Sequence, residues 1–175
     1  MLKEIIKASC DICGSSDARE INIIKYYNTF SKLHICNNCG FVYCHERRSS
    51  IEIKNDWKFK LYKNKFDKNT YDSNIPAVIA RLTYAYEFLK SNVNLKNKSL
   101  CDVGAGKGEF LDFARKSKLT SENYGIEMSE ENSAILKKKK IKFSDLSLED
   151  FVDSNPNKKF DIISLNWTLE NMQSA

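Results

Sequence analysis

Four of the six cysteines stand in two pairs whose spacing suits the binding of one metal ion. Cys10 and Cys13 lie in "CDICG", Cys36 and Cys39 lie in "CNNCG", and a glycine follows each pair. Two thiolates three residues apart can hold one ion from a tight turn, and the glycine lets the chain leave that turn with a positive φ. Four thiolates make a closed tetrahedral site, which indicates structural zinc, with iron in a rubredoxin-like site as the alternative.

Short apolar segments surround the cysteine pairs. We expect three strands, at residues 21–27, 32–36 and 41–44. Each segment is a plausible strand, and with the cysteine pairs the three predict a zinc ribbon. Cys44 and His45 are near enough in sequence to be rival metal ligands. His34 is expected to be a strand residue that faces solvent or packs.

A second stretch, "LCDVGAGKGEF", alternates glycines with other residues after an apolar run. The glycines are Gly104, Gly106 and Gly108. A buried strand is expected before them and an amphipathic helix, 108–117, after them, so they join a strand to a helix. A ligand is expected over such a turn, at the strand end. Asp102 precedes the glycines and would repel a phosphate but attract an ammonium, which favours a cofactor with an amino acid moiety.

Further acidic and polar residues are expected at the ends of the strands that follow. "NYGIEMS" predicts a second strand ending at Glu127, which lies 21 residues beyond Gly106. A carboxylate there can accept both hydroxyls of a ribose. A short third strand then ends at Asp145, and a fourth, at 160–165, ends at Asn166.

Helical segments frame these strands. Residues 74–93 predict an amphipathic helix with Pro76 in its first turn. An aromatic-rich connector, 49–74, precedes it and is expected to be irregular or partly helical, either as a lid or as a docked linker. After the second strand, Ser129 is expected to cap a helix that places Asn132 on its outer side.

Composition and charge set limits on the class of protein. The chain has 175 residues and a net charge of +5, which permits an anionic partner without demanding one. The lysine run 137–140 is expected in a solvated last helical turn, and a phosphate or nucleic-acid contact is the alternative. No apolar run approaches the roughly 18 residues of a membrane helix, and the N-terminus does not resemble a signal peptide. We therefore expect a cytoplasmic protein without a membrane partner.

Four motifs together resemble those of class I S-adenosylmethionine-dependent methyltransferases. "CDVGAGKGEF" resembles their motif I, "YGIEMS" their ribose-binding loop, "SDLSLEDF" their adenine-side loop and "FDIISLNWTLEN" their strand-four motif. The cysteine pairs resemble the zinc-binding module that precedes this domain in sugar C-methyltransferases. The resemblance implies an α/β fold with a Rossmann-like parallel sheet after a zinc-ribbon module. The implied domains are 1–48, the ribbon; 49–74, the connector; and 75–175, the cofactor-binding domain.

The resemblance also implies a role for each motif residue. The backbone of Gly104, Ala105, Gly106 and Gly108 would approach the methionine part of S-adenosylmethionine, and Asp102 would organise its amino end. Glu127 would hold the ribose hydroxyls. The adenine would contact Met128, Asp145 and Leu146. Asn166 would lie near the sulfonium and the substrate entrance. Zinc, held by Cys10, Cys13, Cys36 and Cys39, would be the second cofactor.

Function is expected to be methyl transfer to a small molecule, with a nucleotide-linked sugar or another surface-polysaccharide precursor as the candidate. An RNA methyltransferase that uses the ribbon to bind RNA, and an inactive cofactor-binding protein, are the alternatives. The family motif commonly ends in L-E-H, whereas Asn171 stands here and cannot act as a general base, so no catalytic residue is assigned. Four of the family's seven strands are placed before Ala175, so we expect a truncated domain or a homodimer that completes the sheet.

Overall fold

The computed structural model describes residues 5–21, 33–60, 68–169 and 172. The chain divides into two compact units. Unit 1 comprises Met1–Ile53 with Met172–Ala175, and unit 2 comprises Lys54–Asn171. No helix in the described part of the chain combines the length and the apolar character needed to cross a membrane.

Unit 1 consists of short antiparallel strands around the cysteine pairs. Its strands are β1 (Ile5–Lys7), β2 (Ala18–Glu20), β3 (Leu33–Cys36), β4 (Val42–Cys44) and β5 (Glu46–Arg48). The central three form one sheet in the order β2-β3-β4, and β1 pairs with β5. Cys10, Cys36 and Tyr43 form its small buried core. The strands expected at 32–36 and 41–44 are confirmed, whereas the one expected at 21–27 lies, apart from Ile21, outside the described residues.

Helical segments link the strands of unit 1 to the parallel sheet of unit 2. They are α1 (Ser50–Asn55), a π-helical turn (Asp56–Lys60) and α2 (Lys68–Asn92). The expectation that α2 begins around Pro76 is wrong, because the helix starts at Lys68 and continues through the proline. A proline removes one interior hydrogen bond, which is why the sequence favoured the first turn. The later turns of α2 pack instead through Leu82 and Tyr86, which are buried in the main core.

The parallel sheet of unit 2 has the order β8-β7-β6-β9. Its strands are β6 (Ser99–Val103), β7 (Glu122–Ile126), β8 (Lys142–Ser144) and β9 (Ile162–Ser164), and its helices are α3 (Glu109–Ser117), α4 (Glu130–Lys138) and α5 (Leu148–Ser154). The expected α/β fold with a Rossmann-like sheet is therefore confirmed. Leu100 in β6, Leu111 in α3 and Leu136 in α4 are fully buried, so the helices pack their apolar faces on the sheet. On β9, by contrast, Ile163 is 59% exposed.

Strand register brings the predicted site residues to one edge of the sheet. Val103 pairs with Ile126, and Ile126 pairs with Ser144. On the other side of β6, Asp102 pairs with Ser164. The carboxyl ends of all four strands therefore meet at the edge where open α/β sheets bind ligands.

Candidate cofactor and metal sites

The acid after the second strand and the glycine loop after the first are joined by a hydrogen bond. Glu127 is buried, and its Oε2 accepts from the backbone N–H of Gly106 at 2.8 Å. Its Oε1 accepts from the N–H of Ser129, also at 2.8 Å. Burial raises the pKa of Glu127, while the N–H groups of Ser129 and Gly106 act in the opposite direction by favouring the ionised form. The loop and the second strand thus share one carboxylate.

Asp102 is held in the sheet by two neutral donors from the fourth strand and the segment after it. The residue is 2% exposed, and its Oδ1 accepts from Ser164 Oγ at 2.7 Å and from Asn166 Nδ2 at 3.1 Å. Burial raises the pKa of Asp102 to about 6, although the hydrogen bonds from Ser164 and Asn166 oppose the rise. The structure thus brings Asp102 and Asn166 together. Ser164 was missed by sequence reasoning, and its signal is its register position beside Asp102.

A third carboxylate, also missed from the sequence, belongs to the same site. Glu109 is half-buried at the first position of α3 and, together with Glu127, reinforces the raised pKa of Asp102. Its Oε2 lies 4.0 Å from where a Cβ would stand on Gly106. Three carboxylates around one loop favour a cationic ligand. The ammonium and sulfonium of S-adenosylmethionine (SAM) fit this charge, whereas the pyrophosphate of a dinucleotide does not.

The three loop glycines differ in what surrounds them. A Cβ on Gly108 would lie 2.6 Å from Leu136 Cδ2, and a Cβ on Gly104 would clash with the side chain of Thr168, so close packing within the chain requires both glycines. Gly106 has φ +55° and no atom closer to such a Cβ than Glu109. Gly106 therefore leaves open space where a cofactor would fit.

Ala105 faces inward. It is buried, its backbone N–H donates to the carbonyl of Ile126 at 3.1 Å, and its side chain packs toward Gly125. The side chain therefore supports the loop from the sheet side, and a contact of Ala105 with a cofactor stays a prediction that involves its backbone.

Asn132 lies on the inner face of α4, so the expectation of an outer position is wrong. Ser129 caps α4 as expected, with its side chain accepting from the N–H of Asn132 at 3.5 Å. Asn132 shares a helix face with the fully buried Leu136, four residues on, and is itself 1% exposed. Its side chain faces Glu127 and favours the ionised carboxylate, yet neither amide atom makes a hydrogen bond of ordinary geometry within the described residues. A buried amide without partners beside the predicted ribose carboxylate is consistent with a ligand that completes the site.

The residues expected around the adenine lie in more open positions. Asp145 is exposed after β8 and makes no hydrogen bond or ion pair with the described residues, and Leu146 beside it is 37% exposed. Met128 is half-buried. These three follow the second and third strands at the ligand-binding edge, and their contacts with an adenine stay predictions. Asn171 lies outside the described residues.

The segment after β9 has a strained backbone. Trp167 has φ +53°, a left-handed conformation that is costly for an aromatic residue. The residues on either side of Trp167 are hydrogen-bonded to β6. Asn166 donates to Asp102, and Thr168 Oγ1 donates to the carbonyl of Val103 at 2.8 Å. Arg81 of α2 lies over the indole, 5.5 Å from its centroid. These contacts hold the segment at the carboxyl end of the central strand.

In unit 1 the four paired cysteines converge. Their sulfur atoms all lie within 4.8 Å of one another, with Cys10 Sγ 3.5 Å from Cys39 Sγ and Cys13 Sγ 3.6 Å from Cys36 Sγ. Zn–S bonds of about 2.3 Å in a tetrahedron give S–S separations of about 3.8 Å, so the spacing fits zinc.

The two cysteine turns have the same backbone bonding. Gly14 N–H donates to the Cys10 carbonyl and Gly40 N–H to the Cys36 carbonyl, at 2.8 and 2.9 Å. Both glycines have positive φ, +70° and +76°. Such repeated turns direct two thiols each toward a common point.

The rival ligands do not join this cluster. Cys44 and His45 are not among the four residues that converge in the described part of the chain. His34 packs on His45, with ring centroids 4.6 Å apart, so the expected packing role is confirmed.

This arrangement in unit 2 defines the class of protein. A parallel sheet of this strand order, with a glycine loop after its first strand, matches the Rossmann-like fold of class I SAM-dependent methyltransferases. A family model described as a methyltransferase domain matches residues 71–175, more than half of the 175-residue chain. The chain belongs to this methyltransferase family. No curated protein matched the sequence.

Solved structures share the fold at low sequence identity. The magnesium protoporphyrin IX methyltransferase ChlM of Synechocystis PCC 6803, with bound SAM, superimposes with a TM-score of 0.54 at 14% identity, covering 70% of this chain and 63% of that one. The same enzyme with bound S-adenosylhomocysteine (SAH) gives a TM-score of 0.51 at 14% identity, covering 68% of this chain and 58% of that one. The plantazolicin methyltransferase BpumL, in complex with a pentazolic analogue and SAH, gives 0.48 at 20% identity, covering 70% and 48%. The chain therefore spans about three-fifths of the length of ChlM.

Proposed function

We propose that unit 2 binds SAM at the carboxyl edge of its sheet and that the protein transfers the methyl group of SAM to a small molecule. The observation that carries this proposal is the hydrogen bond of 2.8 Å from Gly106 N–H to Glu127. It joins the loop expected to contact the methionine part to the carboxylate expected to hold the ribose. Each carboxylate oxygen of Glu127 accepts one backbone donor and keeps lone pairs for the two ribose hydroxyls.

The remaining site residues have complementary tasks in this proposal. Asp102 and Glu109 attract the cationic methionine end, and Gly106 leaves room for it. Bound SAM supplies a methyl group on a positively charged sulfur. Asn166, oriented by its bond to Asp102, would lie near the sulfonium and the substrate entrance. Met128, Asp145 and Leu146 contact the adenine.

The chain's contribution to the transfer is mainly positional. Methyl transfer is an in-line displacement, so fixing donor and acceptor in line supplies much of the rate. Asn171, where the related motif commonly has histidine, cannot remove a proton at neutral pH. A carbon or an unactivated hydroxyl of the acceptor must lose a proton during the transfer, so in this proposal the group that accepts it lies elsewhere than at Asn171.

The acceptor in this proposal is a nucleotide-linked sugar or another surface-polysaccharide precursor. It is supported by the four-cysteine unit, whose sequence resembles the module that precedes the methyltransferase domain of sugar C-methyltransferases. The proposal includes a cytoplasmic location and no membrane partner. The homodimer expected from the sequence stays a prediction.

We also propose that Cys10, Cys13, Cys36 and Cys39 hold one structural zinc ion. The support is the convergence of their sulfurs and the matching turns. Four thiolate ligands leave no open position for a substrate, so this ion stabilises unit 1 rather than taking part in chemistry.

Calorimetry on the purified chain tests the cofactor. SAM and SAH should each bind once per chain and NAD should not, and binding of NAD without SAM would overturn the proposal. A screen with methyl-labelled SAM against nucleotide sugars and against RNA then tests the acceptor. Label in RNA alone, or tight SAM binding with no transfer to any acceptor, would contradict the proposed small-molecule activity.

A further inference from the structure

The lysine run after the second strand is not uniformly solvated. Lys137 and Lys138 end α4 as exposed residues, as the sequence predicted. Lys139, next in the run, is half-buried, and its Nζ donates to the backbone carbonyl of Lys107 at 2.8 Å. Lys107 lies in the glycine loop, between Gly106 and Gly108. One member of the run therefore reaches the loop that the cofactor is expected to contact.

The ammonium of Lys139 is fixed by a network as well as by the loop. It donates to Asp112 Oδ2 of α3 at 2.7 Å. Arg115, one turn further along α3, donates to Asp112 Oδ1 at 2.9 Å and to the carbonyl of Lys139 at 2.7 Å. Asp112 and Arg115 thus hold both the side chain and the backbone of Lys139. Such a network restricts the side chain of Lys139 to rotamers in which its ammonium contacts the loop.

The two residues at the centre of the loop are held from opposite ends of α4 by opposite charges. Glu127, just before the helix, accepts from the N–H of Gly106, and Lys139, just after it, donates to the carbonyl of Lys107. Together with the turn hydrogen bond from the Gly108 N–H to the Ala105 carbonyl at 2.9 Å, these two bonds set the backbone direction at both positions before any ligand arrives. At Gly106 φ is positive, and no described atom lies closer to the position of a Cβ than Glu109 Oε2 at 4.0 Å, so side-chain packing does not hold this residue.

We propose that Lys139 is a positioning residue for cofactor binding, which fixes the Gly106–Lys107 segment of the glycine loop together with Glu127. The proposal rests on the proposed function of this site. Lys139 touches the loop and not the ligand. A loop already held in its binding conformation loses less conformational entropy when the ligand binds, so its affinity is higher.

The test compares Lys139→Met with Lys138→Met. Lys138 is exposed in the same lysine run, and its side chain makes no hydrogen bond or ion pair with the described residues, so it is a matched control for loss of one charge. SAH binding to the full chain is measured by calorimetry, and amide hydrogen exchange of Gly106, Lys107 and Gly108 is measured without ligand. Lys139→Met should raise the Kd for SAH about tenfold and speed exchange in the loop, because a charge-assisted hydrogen bond is lost. Lys138→Met should change neither.

Two further variants separate positioning from general stability. Lys139→Arg keeps a donor within reach and should recover most of the affinity. Asp112→Asn removes the negative charge that holds the ammonium of Lys139. In the double variant, the loss of binding free energy should be smaller than the sum of the losses in the two single variants. A Lys139→Met protein that melts at a lower temperature but keeps the wild-type Kd and loop exchange would overturn the proposal.

Failure of the proposal and failure of the proposed function give different results. If the wild-type chain binds no SAH, the proposed function is wrong, and unchanged loop exchange in Lys139→Met would additionally refute the bracing of the loop. If the wild type binds SAH and Lys139→Met binds it equally well, only the role of Lys139 is wrong.

Discussion

The carboxylate of Asp102 and the side-chain amide of Asn166 are joined by a hydrogen bond of 3.1 Å between Oδ1 and Nδ2. The bond connects the first strand of the parallel sheet to the segment that follows the fourth. Ser164 donates to the same oxygen at 2.7 Å. Both donors are neutral, so in the proposed complex the cationic methionine end of SAM would compensate the buried charge of Asp102. We therefore expect Asp102 to affect both the stability of the free protein and its affinity for SAM.

Asp102→Asn should stabilise the cofactor-free protein above pH 6. The pKa of Asp102 is about 6 in the folded protein against a reference of 3.8, so the folded state binds more protons between these values and stability falls as pH rises through them. A difference of about two units corresponds to about 3 kcal/mol lost by the wild type at pH 8. Urea unfolding at pH 4 and pH 8 checks this. If the difference in the free energy of unfolding between variant and wild type is no larger at pH 8 than at pH 4, this prediction is wrong.

The affinity for SAM should rise with pH through the same range. Ionised Asp102 attracts the cationic methionine end, so the Kd should fall as pH rises from 5 toward 7 and level off above the pKa of about 6. Calorimetry across this range provides the measurement, and Asp102→Asn is the control because it removes the titrating group. If the variant binds as tightly as the wild type with the same pH profile, Asp102 does not face the ligand.

Glu127→Gln should weaken SAH binding by about 1–3 kcal/mol, because hydrogen bonds from ribose hydroxyls to a charged acceptor are lost. Glutamine keeps the shape and one oxygen that can accept from Gly106 N–H. Asp145→Asn, at an exposed position, should cost less than about 1.5 kcal/mol. The ratio of the two Kd changes, from calorimetry, tests the assignment of ribose and adenine contacts. Equal losses, or none for Glu127→Gln, would reject it.

The sequence predicted the elements of unit 2 well because its strands and turns are local patterns. The position of Glu127 at the end of the second strand could be predicted, because the 21 residues that separate it from Gly106 in sequence match one βαβ unit. The contacts of Ser164 with Asp102 and of Lys139 with Lys107 could not be predicted, because each joins residues far apart in sequence. Strand register and helix packing decide which of these residues meet. Asn132 was misplaced because a polar residue in a first helical turn normally faces solvent, whereas the spacing to Leu136 places it inside. The extent of α2 was underestimated because Pro76 is a stronger local signal than the packing that carries the helix through it.

Cys36→Ser should abolish metal binding, whereas Cys44→Ser should leave one zinc per chain. Cys36 is one of the four converging thiolates, and Cys44 lies outside that group although it is close in sequence. Structural zinc contributes about 10–16 kcal/mol of apparent binding energy in small peptides, so its loss should unfold the strands of unit 1. Elemental analysis gives the stoichiometry, and amide exchange of β3 and β4 reports the unfolding. Wild-type protein without metal, or with iron in its place, would refute the zinc assignment.

Gly108→Ala should mainly lower the free energy of unfolding, whereas Gly106→Ala should mainly weaken SAH binding. At Gly108 a Cβ would lie 2.6 Å from Leu136 Cδ2 and 2.7 Å from Ile141 Cδ1, in a backbone with φ +78°. Overpacking and left-handed strain together should lower the free energy of unfolding by about 3 kcal/mol. At Gly106 the space is open, so only strain of about 1–2 kcal/mol is expected, but the methyl group would fill the volume proposed for SAM. Urea unfolding and SAH calorimetry on both variants distinguish the two effects, and a Gly106→Ala protein with wild-type SAH affinity would show that the cofactor does not approach the loop there.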